Sequence, residues 1–146
     1  MLTTQWHQGA PFKLRFPIST SWTIWAPPGC VTIAVAQIMN YHQFPRNYCD
    51  WSLVNQYNPK KLLEENDQDV LDEVALLSKK VAGGCRVECN FFGSGETFST
   101  PAKAKRFLRD MGYTGTEKHL GYDADVIKKT LDNDCPVFIG ALASSN

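Results

Sequence analysis

The chain has 146 residues, one domain's worth, with 15 Lys and Arg against 15 Asp and Glu for a formal net charge of zero. That balance argues against a nucleic-acid binder or an acidic tail. A content of 43% hydrophobic and 21% charged residues excludes disorder, and 10 Gly and 8 Pro exclude collagen-like and low-complexity classes. A compact chain of this length buries roughly two-thirds of its unfolded surface, enough for a real core.

Residues 1–29 predict an irregular strap laid over a core. Pro11, Pro17, Pro27 and Pro28 recur, and Trp6, Phe12, Trp22 and Trp25 are scattered without a period. The start, Met1-Leu-Thr-Thr-Gln-Trp6, has neither the basic opening nor the apolar run of a signal peptide. Between Arg15 and Arg46 no charged residue occurs. Polar and proline residues interrupt that interval, and its densest apolar part, Val31 to Met39, is too short to span a bilayer. A buried central helix starting at Cys30 fits it better, with Pro45 just beyond its end.

Residues 46–66 read as loop and turn. Asp67 to Val81 predicts an amphipathic helix, with Val70, Leu71, Val74, Leu77 and Val81 on one stripe, Asp72, Glu73, Lys79 and Lys80 opposite, and Gly83-Gly84 as its stop. Cys85 to Phe92 alternates as a short strand, and Gly93-Ser94-Gly95 reads as a turn. Thr100-Pro101 opens a third helix, with Thr as N-cap and Pro at the first helical position, that carries Ala104, Phe107, Leu108 and Met111 and ends at Gly112. Its basic residues Lys103, Lys105, Arg106 and Arg109 are expected to form a solvated face. Residues 113–120 are expected as a strand, Asp123 to Leu131 as a fourth helix, and Cys135 to Leu142 as a buried strand.

Five cysteines are an odd number, and neither CxxC nor a Cys/His zinc spacing occurs, so no metal site is expected. Cys30 follows Pro27-Pro28-Gly29 at a helix start, where backbone N–H groups and the macrodipole favour the nucleophilic thiolate. Gly29 lets a substrate backbone approach. A thiol nucleophile also needs a base and an oxyanion donor. Gln8, in His-Gln-Gly, is a candidate donor. His42 is twelve residues on, about 18 Å along a helix, and is excluded as the base; His7 and His119 stay open.

The stretch Gly29-Cys-Val-Thr-Ile-Ala-Val-Ala-Gln-Ile-Met-Asn-Tyr-His-Gln-Phe-Pro45 closely resembles the active-site helix of the streptopain family of bacterial papain-like cysteine peptidases. It departs from the family pattern at Pro28, Thr32 and Ile33. Thr4 to Phe12 is similar to the start of that catalytic domain, and Tyr48-Cys-Asp-Trp51 to its Tyr-Asp-Trp element. Asn90 to Ser99 resembles a loop lining the substrate cleft. Phe107 to Tyr113 and Asp134 to Phe138 resemble the last helix-turn and strand before the catalytic histidine. The resemblance spans nearly the whole chain.

It implies an α+β, papain-like cysteine peptidase fold over residues 1–146, comprising the helical subdomain and the first strands of the barrel subdomain, truncated C-terminally. It implies endopeptidase chemistry through a thioacyl-enzyme on Cys30, with Gln8 in the oxyanion hole and Gly29, Gly93, Ser94 and Gly95 at the substrate. Polypeptide substrates, an inhibitory propeptide or inhibitor protein as partner, and a secreted or cell-surface location follow from it; no cofactor, metal, nucleic acid or membrane span does. The family's base is a histidine in a Gly-His-Ala-type element after the strand matching Val137 to Leu142, and none of His7, His42 and His119 matches it. The missing part is expected to leave apolar edge surface exposed. The alternative is an inactive relic that binds peptides or partners through the remaining cleft. Acyl transfer or amide hydrolysis by the same cysteine fits the other motifs less well.

Overall fold

A computed structural model describes residues 4–18, 26–89 and 97–140. In chain order it contains α1 (Cys30–His42), α2 (Trp51–Val54), a 3-10 turn (Leu63–Glu65), α3 (Gln68–Gly84), β1 (Glu88–Cys89), β2 (Thr97–Phe98), α4 (Pro101–Asp110) and α5 (Ala124–Asp132). The result is a mixed, mainly helical arrangement with little strand.

α1 is the centre. Its β-branched residues are poor helix formers, and burial on most sides compensates: Val31, Thr32, Ile33, Val35, Ala36, Ile38, Met39 and Asn40 are all buried. Gln43 ends it in the left-handed conformation, its N–H donating to the carbonyls of Asn40 and Met39. α3 and α4 pack on α1, and α2 packs on α3. Val35, Ala36 and Met39 of α1 share one core with Trp51 and Val54, Val74, Leu77 and Val81, and Phe107 and Leu108. Phe12 closes this core from the N-terminal side, nearly fully buried, with Trp6 and Tyr57 against its ring at 5.2 and 5.5 Å. Burying such a ring contributes about 1.5–3 kcal/mol.

The Thr100 cap read from sequence is present, and Asp67 and Asp123, expected as the first residues of their helices, are N-caps instead. The Asp67 side chain accepts from the Asp69 N–H, Thr100 from Lys103, and Asp123 from Asp125 and Val126. Gly112, at φ 96°, follows α4, and the Tyr113 N–H donates to the Leu108 carbonyl behind it.

Four expectations are corrected. Gly83-Gly84 do not stop α3, which runs through both; the chain reverses at Arg86, with φ 48°. Gly84 lies directly under the Phe107 ring, where a Cβ would overlap it, so close packing accounts for this glycine. The strand expected from Cys85 is confined, within the described residues, to Glu88–Cys89, antiparallel to Thr97–Phe98 (Glu88 opposite Phe98, Cys89 opposite Thr97); residues 90–92 lie outside them. Residues 113–120 form a turn and irregular backbone, with no strand. Residues 135–140 form no strand either: Phe138 packs on the core, but Ile139 is 61% exposed. A strand needs a hydrogen-bonding neighbour, and none pairs with 113–120 or 135–140 among the described residues. Among the described residues, large hydrophobic side chains exposed to solvent include Ile18, Leu62, Phe98, Leu120, Tyr122, Leu131 and Ile139. Trp22, Trp25, Ala141 and Leu142 lie outside the described residues.

Candidate functional site

Cys30 is the first residue of α1 and is exposed, while the three residues after it are buried. The turn before it is held rigidly. Pro28 is buried, and its carbonyl accepts a 2.6 Å hydrogen bond from the Thr32 hydroxyl. Gly29 sits at φ 87°, ψ 146°, a conformation that L side chains rarely adopt, and its carbonyl accepts from the Ile33 N–H at 3.2 Å. As N-cap, glycine offers no side chain to the first helical N–H groups, and the first turn of α1 carries no acidic residue. The positive end of the helix is therefore left unneutralised by its own side chains at the Cys30 sulfur.

Two other segments converge here. β2 closes against the turn: a Cβ on Gly29 would lie 2.9 Å from the Thr97 hydroxyl oxygen. The N-terminal strap is clamped to the stripe of α1 that Cys30 begins. Gln37, two helical turns along, donates to the carbonyl and hydroxyl of Thr4 at 3.1 and 2.8 Å. Gln8 follows four residues after Thr4 and is exposed. A four-residue span reaches at most about 14 Å, which bounds how far the Gln8 backbone lies from the clamp. Thr97 and the Gln37–Thr4 clamp were not singled out from sequence: glutamines and threonines carry no positional signal until a partner distant in the chain is known. Gly93, Ser94 and Gly95 lie outside the described residues.

The other thiols and the histidines differ in setting. Burial pushes Cys85 up to about 12 and, with the Glu73 charge adding to it against Lys80, Cys49 to about 12; both are neutral thiols at physiological pH. Cys135 is exposed, but it follows the C-terminal end of α5, its N–H donating to the Thr130 carbonyl. Cys30 and Cys135 thus face helix ends of opposite sign. His42 lies at the far end of α1 from Cys30, against Tyr41 and Tyr113 at 4.9 and 5.7 Å, and its burial lowers its pKa. The His7 Nδ1 accepts from the Gly9 N–H at 2.9 Å, and the His119 Nε2 lies 3.2 Å from a Glu117 carboxylate oxygen. Among the described residues no cluster could hold a metal ion, and no helix is long and apolar enough to cross a membrane.

No curated protein and no solved structure matches the chain. The model of the Peptidase C10 family matches residues 6–146, from Trp6 in the strap to the last residue, and the chain belongs to that family, the one of streptopain.

Proposed function

We propose that the chain is the nucleophile-bearing part of a papain-like cysteine endopeptidase domain. The observation that carries this reading is an exposed cysteine at the uncapped positive end of a buried helix, in a chain of a cysteine-peptidase family. The Cys30 sulfur attacks the scissile carbonyl carbon as the thiol proton passes to a base. The carbonyl oxygen becomes an oxyanion, to which the Cys30 backbone N–H and the Gln8 side-chain amide donate. Collapse breaks the C–N bond, the base protonates the leaving amine, and water releases the acid from the thioacyl sulfur.

The base in this scheme is a histidine, and none of His7, His42 and His119 matches the Gly-His-Ala-type element that carries it in the family. Gly29 admits the substrate backbone. Substrate binding by Gly93, Ser94 and Gly95 belongs to the same proposal and is supported by the resemblance of Asn90 to Ser99 to the family's cleft loop. Secretion and control by a propeptide or inhibitor protein belong to the same proposal.

Alkylation by iodoacetamide at pH 6, mapped by mass spectrometry, tests it. Cys30 and Cys135 are both exposed, and opposite helix ends should make Cys30 react about three- to thirtyfold faster than Cys135. Equal rates would identify Cys30 as an ordinary surface thiol and favour a non-catalytic, peptide-binding relic.

A further inference from the structure

The solvent side of α4 carries a second feature. Ala102, Lys105, Arg106, Arg109 and Asp110 of this helix line an open hollow of about 440 Å³, and Lys118 joins them from the loop beyond. Four cations face one carboxylate there, a local excess of three (4 − 1) on a chain whose formal charge is zero. The one acid neutralises little: Asp110 stands 3.9 Å from Arg106, with both side chains more than 60% exposed. Elsewhere on the same helix the fold does supply a partner, since Lys103 points away from the hollow and pairs with Glu88 at 2.6 Å. Lys118 is not part of the helix, so helix formation does not explain its arrival among three like charges.

We propose that this hollow is an exosite that binds acidic stretches of polypeptide. It rests on the peptidase reading, because α4 packs on α1 and begins four residues after Thr97, the residue in contact with Gly29. A substrate chain held at Cys30 could therefore pass along α4. Two guanidinium groups match carboxylates in planar, two-point fashion, and the two ammonium groups add unfixed positive charge. The hollow is short and contains a carboxylate, which suits a few Glu or Asp side chains better than the continuous phosphate track of a nucleic acid.

The test is fluorescence anisotropy of a labelled oligoglutamate peptide with the 146-residue chain. Binding should weaken about tenfold in Lys105→Glu/Arg109→Glu, and should also weaken between about 50 and 300 mM salt. Lys118→Glu should weaken it as well, and that residue lies outside α4, so a helix defect cannot account for the loss. Unchanged binding in these variants, equal binding of a labelled oligoglutamine, or stronger binding of an oligonucleotide of equal charge would each overturn the exosite. Cys30 alkylation in the same variants separates the two readings. An exosite failure leaves the advantage of Cys30 over Cys135 intact, whereas failure of the peptidase reading abolishes that advantage in the unsubstituted chain.

Discussion

Gly29→Ala is the sharpest test of how the turn before Cys30 is built. Replacing glycine by alanine ordinarily stabilises a protein by about 0.4–1 kcal/mol through the unfolded chain, provided the backbone conformation suits alanine. Here it does not, since φ 87° with ψ 146° borders a region essentially reserved for glycine, at a cost of about 1–3 kcal/mol. The new methyl would also meet the Thr97 hydroxyl oxygen at 2.9 Å, so the Thr97 side chain must turn or shift by a few tenths of an ångström, for about 1 kcal/mol more. The net loss is about 2–4 kcal/mol, a fall of roughly 5–15 °C in melting temperature for a chain of this size. Thermal denaturation of Gly29→Ala, Thr97→Ala and the double variant reads both parts. The cycle should return about 1 kcal/mol of coupling, with the backbone part remaining in the Thr97→Ala background. A melting temperature that stays level or rises would refute the strained-turn account. A double variant as stable as Thr97→Ala alone would show that the Thr97 contact was the whole effect.

The adjacent glycines of α3 should behave oppositely. Gly83→Ala, with open space around it, should stabilise by about 0.5–1 kcal/mol, whereas Gly84→Ala, under the Phe107 ring, should destabilise by about 1–3 kcal/mol in urea denaturation. Alkaline stability should follow the buried thiols. Cys49 and Cys85 ionise near 9.0 in the unfolded chain and near 12 when folded, so the unfolded state releases protons first. Their contribution is complete below pH 9 and drains away between pH 9 and 12; Cys85→Ala should flatten the fall of the urea midpoint over that window, and an unchanged slope would contradict the assignment. A peptide aldehyde should add reversibly to the Cys30 sulfur, its oxygen taking the thiol proton. Gln8→Ala should weaken that adduct about tenfold in a competition assay against iodoacetamide, and equal affinity would remove Gln8 from the oxyanion site.

Four of the five described α-helices were legible because their signals are local: Thr100-Pro101 marks a start, and the Val70-Val74-Leu77-Val81 stripe marks a buried face, whereas the four-residue α2 fell in residues 46–66, read as loop and turn. Of the expected strands only Cys85–Phe92 has a described counterpart, β1 at Glu88–Cys89, because pairing is decided by residues distant in the chain. Cys135 to Leu142 has the composition of a core strand, yet its described part, residues 135–140, pairs with no strand among the described residues. Gly83-Gly84 misled for a related reason: a glycine pair normally ends a helix, but here the Phe107 ring from α4 requires one inside it. At the site, Cys30 stood out through its position after Pro-Pro-Gly. The Thr97 contact and the Gln37–Thr4 clamp emerged only when the chain was folded, and so did the replacement of Lys103 by Lys118 in the basic group of α4.

None of the nine residues of α5 is buried. A helix that short is marginal in water when left to itself, so α5 depends on its Asp123 cap and a few half-covered side chains. The protein should then open in two steps of unequal cost, the α5 end well before the scaffold of α1, α3 and α4. A brief trypsin nick at Lys128 or Lys129 should detach the weaker unit while the cysteine-bearing scaffold survives digestion as a folded piece.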